Sequence, residues 1–91
     1  MGERTIRRVL VANRGEIAVR ITRTLKSLGI ASVVVFHDDE RDSLAVREAD
    51  EAREITGATP VAAYLDAMQI VAAAVAANCD AVHPGFGFLS E

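Results

Sequence analysis

The sequence predicts an α/β fold, a parallel sheet with flanking helices. Two observations carry that expectation. Short β-branched apolar runs alternate with segments of helical periodicity, and glycines stand at the junctions between them. Strands separated by helices pair in parallel through crossover connections.

The first strand is expected over Arg8-Val9-Leu10-Val11-Ala12, a run suited to burial on both faces. Gly15 opens a helix in which Ile17, Ile21, Thr24, Leu25 and Leu28 fall on one face, with Arg20, Arg23 and Lys26 mostly off it. Glu16 in the first turn and Lys26 in the last suit the helix dipole, and Gly29 supplies a stop. The second strand is Ala31 to Phe36, with an acidic exit through Asp42. A short helix follows from Ser43 to Ala49, capped by Asp42 or Ser43. Ala52 to Ile55 is expected as a short third strand, and Thr56 to Pro60 as a loop. The next helix is placed at Leu65 to Ala77. It is apolar nearly all round from Ile70 onward, which predicts cover on more than one side. Asp80 to His83 is the fourth strand, ended by Pro84-Gly85. Together these elements describe a Rossmann-like sheet.

The chain has 91 residues, 51% of them hydrophobic and 25% charged, which is the composition of a globular domain. Sixteen alanines and no tryptophan predict a thin core for that apolar count. A chain of this size buries only about 60–65% of its unfolded surface. The length therefore points to a minimal domain or to a truncated one. Ser90-Glu91 favours the second reading, because a cap followed by an acid is how a helix starts.

Net charge is −3, so no basic excess is available for phosphate backbones, and nucleic acid is not an expected partner. The charge is segregated: residues 1–36 carry a net +5 and residues 37–54 a net −5, read as neighbouring surfaces of one fold. The longest apolar stretch, Ile70 to Ala77, is far shorter than the roughly 20 residues of a membrane span. A single cysteine forms no internal disulfide, and the first residues lack a leader pattern, so the expected compartment is the cytoplasm, or the interior of an organelle after processing.

Several chemical readings fail on spacing. The turn Asn13-Arg14-Gly15-Glu16 holds one of the three glycines a dinucleotide fingerprint needs, and Glu16 would repel a phosphate. Counted from Asp38, the acidic loop has Ser43 and Ala49 where a calcium loop needs Gly and Glu. Cys79 follows a helix C-terminus, the wrong end to activate a thiolate beside His83. The stronger signal is His83-Pro84-Gly85-Phe86-Gly87-Phe88-Leu89-Ser90-Glu91 at the carboxyl end of a parallel strand, where open α/β sheets place ligands. Two glycines allow close backbone approach, and Phe86 between them offers a flat apolar face. The competing reading is a sharp turn with packed aromatics.

These last residues, with Val11 to Ala18 and Arg20, Ala49-Asp50-Glu51-Ala52 and Tyr64-Leu65, resemble in order the start of a biotin carboxylase. The resemblance implies a Rossmann-like domain that precedes an ATP-grasp domain and a C-terminal lobe. It implies an ATP-dependent ligase in which bicarbonate is activated as carboxyphosphate and biotin on a carrier is carboxylated, within an acyl-CoA carboxylase. Biotin, ATP and Mg²⁺ are the implied cofactors. The biotin carboxyl carrier domain and a carboxyltransferase are the implied partners, in a homo-oligomer. Residues 1–91 would be the incomplete N-terminal domain, inactive alone, with no catalytic or metal-binding residue of its own. The resemblance places His83, Gly85, Phe86 and Gly87 in a loop bordering the active site. The same resemblance would put Phe86 near biotin, at a position where a tyrosine is common. Arg20 and Arg23 fall on a helix used in dimer contacts, although Ser27 replaces an acid often found there. Two other readings stay open, a non-catalytic binding or scaffold module and the first domain of another ATP-grasp ligase.

Overall fold

The computed structural model describes residues 5–87 and residue 89. The expected helix start at Ser90-Glu91, and Phe88, lie outside the described residues. Four strands form one sheet: β1 (Arg8–Val11), β2 (Ala31–Phe36), β3 (Glu51–Glu54) and β4 (Ala81–His83). All pairs are parallel and the order is β3-β2-β1-β4, as the alternating pattern predicts. The helices are α1 (Gly15–Ser27), α2 (Leu44–Glu48), α3 (Pro60–Tyr64) and α4 (Ala67–Ala76), with a 3-10 turn at Asp38–Glu40.

Successive side chains of the central strands point to opposite faces and so build two cores. Val9, Val11 and Val34 pack with Ala18, Leu25 and Ala45, which puts α1 and α2 on one face. Leu10, Ala12, Val33 and Val35 pack with Ile55, Ala63, Tyr64, Ile70, Ala74 and Ala77, which puts α3 and α4 on the other. The three-layer arrangement buries the middle of β1 and β2 completely.

Helix ends follow local chemistry. α1 stops at Gly29, whose φ is +73°; Ile30 N–H donates to Leu25 O (2.9 Å) and Gly29 N–H to Lys26 O (3.1 Å). α4 ends the same way on Asn78 at φ 58°, with Cys79 N–H donating to Ala74 O (2.9 Å). Ser43 caps α2 through the Val46 N–H, in keeping with one of the two expected caps. The strand starts share a device. The Asp80 carboxylate accepts from the Arg7 and Arg8 N–H groups (2.8 and 3.0 Å), and the Asp50 carboxylate accepts from Ser32 N–H (2.8 Å).

Three expectations need correction. The buried residues of α1 are Ala18, Thr22 and Leu25, while Ile17, Thr24 and Leu28 from the expected stripe are exposed. Small residues win the inner positions because they let the helix lie close to the sheet. The segment Thr56–Pro60 is only partly loop: Thr59 caps α3 by accepting from Ala62 N–H, and Pro60 occupies the first helical turn. The helix expected at Leu65–Ala77 is present as α4, trimmed to Ala67–Ala76 by the Asp66 cap, with α3 as a separate short helix before it. Finally, α4 is covered on its sheet side alone among the described residues. Met68 (85% exposed), Val71 (56%) and Val75 (71%) face outward.

Candidate functional site

The chain runs from β1 outward through β2 to β3 and then returns to the other side of β1 for β4. Strand order therefore reverses at β1, and the crevice beyond the carboxyl ends of β1 and β4 is where such sheets bind ligands. The backbone is held there by Ala12 N–H donating to His83 O (2.9 Å).

Asn13 dominates this crevice. It is 1% exposed and spends its whole amide. Its Nδ2 donates to the carbonyls of Pro84 and Phe86, both at 2.7 Å, and its Oδ1 accepts from Arg14 N–H (2.8 Å). One side chain thereby staples the loop after β4 to the turn after β1. The loop is shaped from inside as well. His83 Nδ1 accepts from Gly85 N–H (3.0 Å), and Gly85 and Gly87 take φ of +68° and +80°. A Cβ at Gly85 would sit 2.9 Å from both Asn13 Nδ2 and Ile17 Cγ2, so glycine is required there by conformation and by space. Phe86 is held by its backbone and is 75% exposed as a residue. The structure thus brings His83, Gly85, Phe86 and Gly87 together in one pinned loop.

A second network braces the same edge. Tyr64 is 1% exposed, and its hydroxyl shares a hydrogen between Val35 O (3.0 Å) and Glu40 Oε1 (3.1 Å). The other Glu40 oxygen pairs with Arg14 Nε. The network ties α3, the exit of β2 and the turn after β1 into a rigid rim. Burial, and then the nearby Glu40 carboxylate, push the Tyr64 phenol well above its usual range.

Arg20 and Arg23 lie elsewhere, on the outer side of α1. They line a cleft of about 690 Å³ between α1 and α2, together with Val19, Thr24 and Leu44. Arg23 makes a two-pronged ion pair with Glu48 (Nε–Oε1 2.8 Å, Nη2–Oε2 2.7 Å). The partners described above for the loop after β4 are Asn13 and His83, not these arginines. The acidic exit of β2 is a set of ion pairs: Arg41 bonds Asp38 (2.8 Å) and Glu54 (3.0 Å). Among the described residues no group of three or more His, Cys, Asp or Glu is placed to hold a metal ion. Cys79 is half-buried, and burial foremost raises its thiol pKa, which keeps it protonated and unreactive.

Sequence reasoning missed Asn13 as a site residue. The available signal was an amide side chain directly after a buried strand, at the start of a turn, where a buried polar group must find partners.

The profile described as "Biotin carboxylase, N-terminal domain" matches residues 5–91. The chain belongs to this family. Over 89 residues it is 52% identical to the mitochondrial methylcrotonoyl-CoA carboxylase subunit alpha of Arabidopsis thaliana, covering 98% of this chain and 12% of that protein. It is 46% identical over 86 residues to biotin carboxylase 1 of Bacillus subtilis (strain 168), covering 94% of this chain and 19% of that protein. Among solved structures, it superposes with a TM-score of 0.89 and 43% identity on the biotin carboxylase domain of the Hydrogenobacter thermophilus 2-oxoglutarate carboxylase. That structure is a dimer in complex with MgADP, ADP and bicarbonate, and the match covers 97% of this chain and 19% of that one. This biotin carboxylase N-terminal domain therefore spans about an eighth to a fifth of the length of these relatives.

Proposed function

We propose that this domain forms one wall of a biotin carboxylase active site, in an ATP- and bicarbonate-dependent ligase that carboxylates biotin on a carrier. The observation that supports this most directly is the Asn13 staple, which fixes the His83–Gly87 loop at the reversal point of the sheet. Phe86 presents an exposed ring, a flat apolar surface fit to lie along the biotin ring system, and it brings no hydroxyl. Gly85 packs its bare Cα against Asn13 and Ile17, and the open space at Gly87 leaves backbone there free for a ligand to approach. The described residues do not fit Mg²⁺ or the ATP phosphates, having neither a carboxylate cluster nor a glycine-rich cradle. In this reading ATP and Mg²⁺ act on parts of the enzyme other than these residues, and the domain's own work is to position the loop and exclude water.

The same reading assigns a biotin carboxyl carrier domain and a carboxyltransferase as partners. It also assigns a homo-oligomer whose contact uses Arg20 and Arg23 on the α1–α2 cleft. Residues 1–91 would be an incomplete domain, inactive alone. A purified 91-residue chain that carboxylated free biotin with ATP and bicarbonate would overturn that statement. The compartment we assign is the cytoplasm, a setting that suits one unpaired thiol. No helix among the described residues is long and apolar enough to cross a membrane.

The decisive experiment is Asn13→Ala in the full-length enzyme, read by ATP-dependent carboxylation of free biotin. Loss of the staple is expected to lower the rate by about 100-fold, the cost of misplacing a positioning group by roughly 1 Å. An unchanged rate would remove the loop from the active site.

A further inference from the structure

Glu40 sits at the junction of the rim network, between the core and the turn after β1. It belongs to the 3-10 turn that follows β2, and its side chain is 14% exposed. Both carboxylate oxygens are committed. Oε1 accepts from the hydroxyl of the buried Tyr64 on α3 (3.1 Å), and Oε2 pairs with Arg14 Nε. A carboxylate this far from water is costly to hold unless its oxygens are paired. Glu40 is therefore fixed from the core side by Tyr64 and offers a fixed charge to Arg14.

Arg14 is where the network turns toward the loop after β4. It stands just before α1 in extended backbone (φ −130°, ψ 172°), and its side chain makes no capping hydrogen bond to the helix. Residues at this position are usually Ser, Thr, Asp or Asn, whose side chains accept from the first turn and fix the helix start. Arginine has no acceptor to do this. The next residue, Gly15, takes φ +63°, with no atom within 4 Å of where a Cβ would stand. Glycine leaves that junction free to swivel. Two contacts hold Arg14 in place of a cap: its guanidinium on Glu40, and its N–H on Asn13 Oδ1 (2.8 Å). The second engages the amide oxygen, so both amide hydrogens are left for the Pro84 and Phe86 carbonyls (2.7 Å each).

We propose that Glu40 is a positioning residue for the His83–Gly87 loop, acting through Arg14 on the Asn13 staple. The proposal rests on the biotin carboxylase reading of that loop. Loss of the carboxylate frees the guanidinium, loosens the Arg14 peptide at the glycine junction, and leaves the Asn13 amide without its fixed donor. The amide can then turn, and the loop loses the bonds that set where Phe86 stands. Glu40→Gln isolates this effect without changing bulk. Its amide oxygen can still accept from Tyr64, but its N–H groups then face a guanidinium that carries donors alone.

The full-length enzyme is assayed with free biotin and, separately, ATP as the varied substrate, as the parent, as Glu40→Gln, as Asn13→Ala and as both changes together. Glu40→Gln is expected to raise the KM for biotin about tenfold and the KM for ATP by less than about twofold. A merely structural role would move both. In the Asn13→Ala background the same change should add less than about twofold, because residues that act through one contact do not add. If Glu40→Gln does not fold, Arg14→Met carries the same comparisons, since it removes the guanidinium from the other end of the pair and keeps the stem. A biotin effect that persists undiminished without Asn13, equal rises in both KM values, or parent-like kinetics in Glu40→Gln would overturn the proposal. The reading beneath it fails in a different place. Asn13→Ala with the parent's rate takes the loop, and Glu40 with it, out of the active site, whereas an impaired Asn13→Ala beside a parent-like Glu40→Gln removes Glu40 alone.

Discussion

α1 and α4 cover opposite faces of the same sheet and finish their outer sides in opposite ways. α1 turns Ala18, Thr22 and Leu25 to the sheet and dresses its outside with Glu16, Arg20, Arg23 and Lys26. α4 turns Ile70 and Ala74 to the sheet, and its outside is Met68, Val71, Ala72 and Val75 with no charge at all. Both inner faces are built from small or single-branched residues, so packing against the sheet does not dictate what lies outside. Charge on α1 keeps that helix soluble and joins it to α2 through Arg23–Glu48. The uncharged outside of α4 is an apolar patch of the sort that marks a contact surface.

The sharpest way to break the comparison is to cut both sides of α4. Ile70→Ala removes a side chain that is 1% exposed and should cost about 2–5 kcal/mol in denaturant unfolding. Val71→Ala, its exposed neighbour, should stay within about 0.5 kcal/mol. Similar losses at both positions would mean that the outer side is already buried.

On the α1 side, Gly85→Ala should cost about 1–3 kcal/mol, from a left-handed backbone and from the contact with Asn13 and Ile17 at the start of the helix. Unfolding curves and biotin carboxylation should fall together. A stable but inactive variant would separate the shape of the loop from its anchorage.

Tyr64→Phe should cost about 0.5–1.5 kcal/mol at neutral pH by removing the phenol from Val35 O and Glu40. It also carries a pH signature. The folded phenol titrates above its ordinary value of 10.0, so its stabilising contribution is complete below that value and is lost as pH rises toward the folded pKa. The parent chain should therefore lose stability in alkali, and Tyr64→Phe should flatten that limb.

The smallest effect is expected from Val75→Lys, which gives α4 the kind of outside that α1 has. Melting should shift by less than about 0.5 kcal/mol equivalent, with higher solubility in a concentration series. A large destabilisation would show the valine packed.

The sheet was legible in the sequence because its signal is local. The run Ala31–Phe36 carries three consecutive valines and a phenylalanine, and its bounds agree with the structure. Gly29 and Ser43 announce helix ends through their own backbone and side-chain chemistry. The inner stripe of α1 was half legible: Ile21 and Leu25 lie inward, but bulk misled at Ile17 and Leu28. Closeness of helix to sheet selects Ala18, and no local pattern reports that distance. The loop after β4 showed itself by its glycines. Asn13 did not, because its partners are backbone carbonyls 71 and 73 residues away, fixed only once β4 lies beside β1.

That separation has a consequence for how the molecule is made. A ribosome finishes β1, β2 and β3 well before β4, so three strands and α1 can assemble while one side of β1 still lacks its neighbour. Strands paired across such a span are late and slow contacts. Until β4 arrives, the Asn13 amide faces water. The staple therefore forms only after β4 has paired with β1, and the shape of the candidate ligand loop depends on that pairing.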